Sequence, residues 1–450
     1  MLTHAPTWAV DLNNRSNQPR IPPNTYHNSV INPDIQRVLY SNLYVKCHTF
    51  NLPTEAGARD VKATITDCQY IGSYNWVSDH NDVSIIVPGS PREWQEQPLP
   101  FTVPPDVLGH YREQYDTRMR SAPLLPLLLA VNHWHERTHS QPSQYPWHSV
   151  DFVTNRNSLR HLLRIFRTDN GGSNGRGGRG ANYRRGSFTH PYSKPFRIDI
   201  ELTGTRTILL NRWEPTDSEP TYINSYGFNF ENAFTREAEA VSALDDSGET
   251  ARHHRINSYD FGGLKMVVRS EIDACIPDDE AEDNDDPTSP EELPSHPSPM
   301  PPSPISTKFG LKIIPSPNPP TPQTHLIELS TIKSSTFPVW NAHERYPQLY
   351  FSQVPNHYLA SHVCGTINQI NKRDLHKSPE MLFYAPTAEP KLRMLRKLLE
   401  MIQQEVIVQA RRSGGKLKSF SLVYRHGRLT LLERVGSRCL PDEAFAMFEV

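Results

Sequence analysis

Leu264-Lys265-Met266-Val267-Val268-Arg269-Ser270-Glu271-Ile272-Asp273 reads as a β-strand that ends in two carboxylates. Residues i and i+2 of a strand share a face. Glu271 and Asp273 therefore point the same way, while the apolar Ile272 between them faces a core. Two carboxylates at this spacing offer the hard oxygen ligands that Mg²⁺ or Mn²⁺ prefers. For a single acidic pair, a solvated strand face is the ordinary outcome, so the reading depends on its companions. One is Glu328, which follows the apolar run His325-Leu326-Ile327.

The surrounding chain alternates strands with helices. Short β-like runs fall at 43–49, 61–70 and 83–87. A helix is predicted at 124–135. A clearer one spans 157–167, where Leu159, Leu162, Leu163 and Phe166 recur at i, i+3, i+4 and i+7. Residues 196–202 and 205–210 form a hairpin about Thr203-Gly204, and Gly227 opens a further helix. Residues 326–331 return as a strand. Residues 390–410 make an amphipathic helix with Leu392, Leu395, Leu399, Ile402 and Val406 inward, stopped by Ser413-Gly414-Gly415. A last hairpin turns at His426-Gly427. Strands interleaved with helices indicate one mixed α/β (α+β) body.

Composition sets bounds on this body. The chain has 450 residues, 41 of them proline, and a mean hydropathy of -0.60, so part of it is expected to be disordered. Residues 1–35 read as a disordered arm and 36–450 as a single domain. Two flexible inserts are expected, one Gly/Arg-rich at 170–187 and one acidic and Pro/Ser-rich at 277–322. The Gly/Arg tract suits RNA contact, and suits a plain insertion equally. Residues 277–322 carry nine acidic residues and two lysines, a net of -7, which leaves +5 on the rest of a chain whose total is -2. A mildly basic body is compatible with an anionic ligand.

Several classes are excluded. The five cysteines are scattered, with no C-x-x-C pair, against both a disulfide framework and a structural zinc site. The most apolar stretch, 123–131, is interrupted by Pro126 and is too short for a bilayer, so no membrane insertion is expected. The first residues are polar and Pro-rich, unlike a secretory signal, so an intracellular setting, nucleus or cytoplasm, is expected. There is no P-loop, no G-x-S-x-G elbow and no H-E-x-x-H. A prenyl-diphosphate synthase would need two Asp-rich helical motifs. The one candidate, 278–286, lies in the Pro-rich insert.

Four pieces recur in order: Asp151-Phe152-Val153-Thr154-Asn155-Arg156-Asn157-Ser158-Leu159, Tyr226-Gly227-Phe228-Asn229-Phe230-Glu231, Arg269-Ser270-Glu271-Ile272-Asp273 and Leu326-Ile327-Glu328-Leu329-Ser330-Thr331. An aromatic run, Leu349-Tyr350-Phe351-Ser352-Gln353, follows. This order resembles the DXO/Rai family of RNA 5′-end decapping exonucleases, over roughly residues 150–365. That family carries an arginine in a DFVxWRGxL stretch, then GYxFE, ExD, ELK and an aromatic WxQS segment. The resemblance implies a PD-(D/E)XK nuclease-like core, a central mixed sheet flanked by helices. It implies a metal held by Glu231, Glu271, Asp273 and Glu328, with Mg²⁺ or Mn²⁺ as cofactor. It further implies that Arg156 grips a phosphate, that Gln353 orients substrate or water, and that the partner is an RNA 5′ end. For Arg156, bracing the helix is an equal alternative.

Departures from the family pattern matter. Its ELK lysine falls on Ser330, and Trp and Gly fall on Asn155 and Asn157. Lys265 lies an even number of residues from Glu271 and is the cation expected to take the lysine's catalytic place. Lys333 lies an odd number from Glu328 and would need a bulge. The expected function is hydrolysis at RNA 5′ ends: decapping, 5′-pyrophosphate removal or 5′→3′ degradation. The alternative is an impaired homologue that binds RNA ends or a partner protein. His253-His254-Arg255 is expected to be a surface or turn pair. Trp76, Trp94, Trp134, Trp147 and Trp213 are expected in the core.

Overall fold

Gly262 and Gly263 turn the chain at φ 59° and 89°, and a Cβ on Gly262 would collide with the Lys62 carbonyl. Only glycine fits that turn. It fixes a hairpin paired without slippage from Phe261↔Leu264 to His253↔Ile272, and this hairpin sets the register of the site. The computed structural model describes residues 37–77, 83–106, 119, 121–139, 144–166, 194–213, 225–238, 252–277, 303–336, 341–415 and 418–449. The elements that meet at the site are β1 (Phe152–Asn155), α1 (Arg156–Arg164), α2 (Gly227–Ala233), β2 (His253–Phe261), β3 (Leu264–Ile272), β4 (Ala274–Cys275) and β5 (Leu326–Lys333). They are completed by α3 (Ala342–Ser352), β6 (Asn356–Val363) and α4 (Pro379–Arg412).

Among the described residues, two mixed sheets of twelve and seven strands carry the fold. In the larger, β3 pairs antiparallel with β2 and parallel with β1, and β2 pairs antiparallel with Ile65–Trp76. In the smaller, β5 lies between β6, parallel, and β4, antiparallel. The chain passes from the larger sheet to the smaller between β3 and β4, a step of one residue, Asp273. Large mixed sheets flanked by helices are the expected mixed α+β architecture.

Packing explains the helices. Leu159, Leu162 and Leu163 of α1 share one buried cluster with the face of α4 that holds Leu392, Leu395, Leu399, Ile402 and Val406. The amphipathic helix starts earlier than its prolines suggest, at Pro379, with Pro386 and Pro390 inside it. Buried Met381, Tyr384 and Ala388 extend the apolar face upstream, and this packing carries the helix through both prolines.

Three expectations change. The 277–322 insert is structured in its later part: Lys312–Pro315 pairs parallel with Ser84–Val87, because Leu311 and Ile313 are buried there. A short apolar run was hidden by the Pro/Ser-rich composition around it. His253 and His254 are not at the surface but 3% exposed each, in the middle of the larger sheet. Trp76, Trp94 and Trp147 are core residues, whereas Trp134 and Trp213 are only half-buried. The arm at 1–35, the Gly/Arg tract at 170–187 and residues 278–302 lie outside the described residues. Among those described, no helix is long and apolar enough to cross a membrane.

Candidate metal centre at the junction of two sheets

Asp273 stands where the chain changes sheets. Its predecessor Ile272 belongs to the largest core cluster and its successor Ala274 to the small cluster under the second sheet. Oδ2 accepts a hydrogen bond from the Leu329 amide at 2.8 Å, tying Asp273 to β5. The register Ala274↔Ile327 brings Glu328, on β5, alongside. Glu231 arrives from the last turn of α2, whose Phe230 is anchored with Phe234 against Ile327 and Leu329. Glu271 is two residues back on β3. Four sequence-distant carboxylates are thereby brought within electrostatic reach of one another.

Their ionisation shows the strain of that grouping. Burial, then the charges of Glu328, Glu231 and Glu271, raise the Asp273 carboxyl well above its usual range, although the Leu329 amide opposes this. Burial pushes Glu231 up from 4.5 to about 8, with Arg252 opposing and Glu271 and Glu328 adding to the rise. A metal-free protein must therefore lose stability as pH rises from about 4.5 through about 8, because the folded state binds the extra proton and the unfolded state does not. Urea unfolding in chelator across that range should show this decline. Glu231→Gln should flatten the slope, and Mn²⁺ should flatten it in the parent. A slope that is unchanged in Glu231→Gln would refute the assignment.

Two arginines enter the cluster. Arg156, the first residue of α1, donates from Nη1 to Glu328 Oε2 at 2.6 Å and to Ser352 Oγ at 3.4 Å. Both side chains of the ion pair are buried, 8% and 3% exposed. Burial alone would lower the Arg156 pKa, but Glu328, Asp273 and Glu271 outweigh it. Arg252 pairs with Glu271 and lies 4.6 Å over the Phe228 ring. Burial would likewise lower its pKa, and Glu271 and Glu231 raise it. Once all four carboxylates are ionised (-4), two guanidinium groups (+2) leave -2. One divalent cation has the charge to balance that, and carboxylate oxygens suit Mg²⁺ or Mn²⁺. Glu328 and Glu271 are turned to the arginines. Among the described residues no three His, Cys, Asp or Glu side chains are gathered as a metal cage.

Of the residues expected at the site, Glu231, Glu271, Asp273, Glu328 and Arg156 come together, and Lys265 and Gln353 do not. Lys265 is exposed at the opposite end of β3, opposite Asp260. Six residues separate it from Glu271, roughly 20 Å along a strand. Sharing a face does not bring it within reach. Lys333 is exposed at the far end of β5. Gln353 caps α3 in the left-handed region, φ 54°, and its Nε2 donates to the Tyr350 carbonyl at 2.6 Å. Its own carbonyl accepts from Gln323 Nε2 at 2.7 Å, so it holds a turn. The glutamine that donates to Glu328 is Gln348, one residue before the aromatic run. Gln348 and Ser352 are four apart and share the helical face that meets Glu328 and Arg156.

Ser330, at the family's lysine position, shares a 2.6 Å hydrogen bond with His357 Nε2, and both residues are buried. Burial, then Arg345 and Arg373, depress the His357 pKa to about 3, so the ring is neutral. Arg252, Gln348 and His357 were not foreseen. Arg252 was within reach of counting: extending the hairpin register one residue beyond His253↔Ile272 sets it beside Asp273.

A small cleft of about 20 Å³ opens beside the cluster, lined by Asn155, Arg156, Asn157, His254, Arg269, Ser270 and Glu271.

A family model described as a domain of unknown function (DUF8563) matches residues 51–174 and 185–421. No curated protein sequence matches the chain. Among solved structures, Scheffersomyces stipitis Rai1 in complex with (3′-NADP)⁺ and calcium ion is similar in fold, with a TM-score of 0.52 at 10% identity over 90% of this chain and 99% of that one. Candida albicans Rai1 in complex with pU5 and Mn²⁺ gives 0.51 at 11% identity, over 89% and 99%.

Proposed function

We propose that this chain, which belongs to the family described as a domain of unknown function (DUF8563), is a divalent-metal-dependent hydrolase of RNA 5′ ends. The observation that carries the reading is the junction cluster of Glu231, Glu271, Asp273 and Glu328, which two arginines leave at -2 once all four carboxylates are ionised. The Rai1-like fold supports it, since the Candida albicans protein holds pU5 with Mn²⁺. Mn²⁺ or Mg²⁺ bound there would activate a water near neutral pH and offset charge building on phosphorus. The chain's own groups do the rest. Glu231 and Asp273, whose protons are held high by burial and like charge, would have to give up those protons to hold the ion, together with Glu271 and Glu328. Arg156 and Arg252 remain as fixed positive charge beside the reacting phosphate, the part the lysine takes in the family pattern. Gln348 keeps Glu328 oriented.

The test is hydrolysis of 5′-labelled capped, triphosphate and monophosphate RNAs with Mn²⁺, Mg²⁺ or chelator. Ion-dependent release of label from at least one RNA is the expected result. RNA binding without release in every condition would replace this reading with the second one, an impaired homologue that holds RNA ends or a protein partner.

The Ser330–His357 contact is what favours that second reading, because it puts a neutral pair where the family has a charge. A direct check follows. Ser330→Lys alone drives its ammonium into the His357 ring. Ser330→Lys with His357→Ala has room for it. If the cluster is short of a cation, the double variant should hydrolyse RNA at least about tenfold faster than the parent. An unchanged rate would mean that Arg156 and Arg252 already suffice.

A further inference from the structure

Glu271 and Glu328 lie on paired strands, and Asp273 lies in the one-residue step between two strands. Sheet hydrogen bonds fix where those three carboxylates stand. Glu231 is carried differently, by α2, a helix of seven residues or about two turns. A helix that short does not hold itself together in water. Whatever anchors α2 therefore decides where the Glu231 carboxylate stands.

Packing anchors its middle. Phe230 and Phe234 are buried in the small cluster, and the Arg252 guanidinium lies 4.6 Å over the Phe228 ring. At the far end, the Glu231 carbonyl accepts from Thr235 Oγ1 at 2.7 Å, and Thr235 Oγ1 accepts from Arg92 Nε at 2.7 Å. The near end has no cap of its own. Tyr226, the N-cap, makes no side-chain cap bond, and its ring lies 4.7 Å from the His362 ring instead. The first turn carries no acidic residue.

The first-turn amides are taken by Asp106, which lies 122 positions before Phe228 in the chain. Asp106 Oδ1 accepts from the Asn229 amide at 3.0 Å, and Oδ2 accepts from the Phe228 amide at 3.4 Å. Oδ2 also accepts from the Ser225 hydroxyl, and the Asp106 amide donates to the Ser225 carbonyl at 2.8 Å. Asn229 Nδ2 returns the contact, donating to the Pro104 and Pro105 carbonyls at 3.1 and 3.2 Å. The segment that brings Asp106 is itself tied to the smaller sheet. Phe101 and Thr102 pair with Ile367 and Thr366, the Val103 amide donates to the Gly365 carbonyl at 3.0 Å, and Val103 is buried with Phe230 and Phe234. Asn229 stands two residues before Glu231, roughly 3 Å along the helix axis. A shift of the amides that Asp106 holds passes directly to Glu231.

We propose that Asp106 is a positioning residue of the metal centre: it caps α2 from outside the helix and so sets Glu231 against Glu271, Asp273 and Glu328. The inference rests on the reading of the junction as a metal centre. Asp106 follows Pro104-Pro105 and belongs to none of the acidic motifs of the sequence. Its charge also reaches Glu231, where it adds, after burial, Glu271 and Glu328, to the rise of that carboxyl. Position and charge predict different results.

The measurement is Mn²⁺ affinity of the full chain by calorimetry. Asp106→Ala should weaken it at least about tenfold, the low end of the loss that follows when the support of a metal ligand is removed. Asp106→Asn gives up the charge but keeps an oxygen for the Asn229 amide, so it should recover most of that affinity. In a Glu231→Ala background, Asp106→Ala should cost less than about twofold more, because the carboxylate it positions is gone. Ser225→Ala, a milder change chosen in case Asp106→Ala folds poorly, should weaken Mn²⁺ by roughly twofold to fivefold. Unchanged affinity in Asp106→Ala and Ser225→Ala would reduce Asp106 to a structural cap and overturn the inference. Asp106→Asn as weak as Asp106→Ala, or the full loss persisting without Glu231, would assign the effect to charge and overturn it equally. No Mn²⁺ binding in the parent would remove the metal centre and this role with it. Mn²⁺ binding that follows the expected pattern without RNA hydrolysis would leave Asp106 in its role and remove only the hydrolase.

Discussion

Glu271→Ala with Asp273→Ala is expected to abolish ion-dependent hydrolysis, with a loss on the order of 10³-fold or more. The reason is charge as much as geometry. With its four carboxylates ionised the parent cluster stands at -2 against two arginines. Removing two carboxylates brings it to zero, and nothing then draws a divalent ion to the sheet junction. The same variant should lose Mn²⁺ binding by calorimetry. It should also show a smaller pH dependence of stability, because Asp273 no longer titrates and Glu271 no longer adds to the rise at Glu231, which burial, Glu328 and Asp106 still hold up. Hydrolysis at the parental rate in this variant, with Mn²⁺ required as before, would place the chemistry elsewhere.

Arg156→Ala is expected to be the most damaging single change to stability. Its partner Glu328 is 2% exposed, and the pair is buried on both sides. Cutting a buried pair on one side strands a charge in low dielectric, which costs about 3–5 kcal/mol. It also removes one of the two positive charges beside Glu328, Asp273 and Glu271, adding repulsion among the carboxylates. Urea unfolding in chelator should show that loss, and Mn²⁺ should restore more stability to the variant than to the parent. Arg156→Lys should recover part of it, since an ammonium keeps the charge beside Glu328 but loses the rigid planar group that sets Nη1 between Glu328 and Ser352. A loss below about 1 kcal/mol, the scale of exposed pairs, would show that water reaches Glu328 and that the site is open.

Much of this site was legible in the sequence, for reasons that can be stated. Glu271 and Asp273 close a strand whose alternation is plain, and Glu328 sits on a second strand with a strong apolar run. Glu231 ends a helix opened by Gly227. Local pattern was enough for each. Lys265 failed because parity along a strand gives direction but says nothing of distance. Gln353 failed because the aromatic run was read without helical phase, and the helix turns Gln348 to Glu328 instead. Arg252 required hairpin register, and His357 required knowing that β6 lies parallel to β5, with His357 opposite Glu328. The strand Lys312–Pro315 was missed because its partner, Ser84–Val87, lies more than two hundred residues away.

Asp273 is the single residue by which the chain steps from one sheet to the other, and its side chain grips the Leu329 amide across that step. A cation seated among Glu271, Asp273 and Glu328 would therefore be a fastener as well as a reagent. Loading it would clasp the two sheets at Asp273, and losing it would loosen them there. Solvent exchange of the Leu329 amide, measured with Mn²⁺ and with chelator, would read that clasp directly.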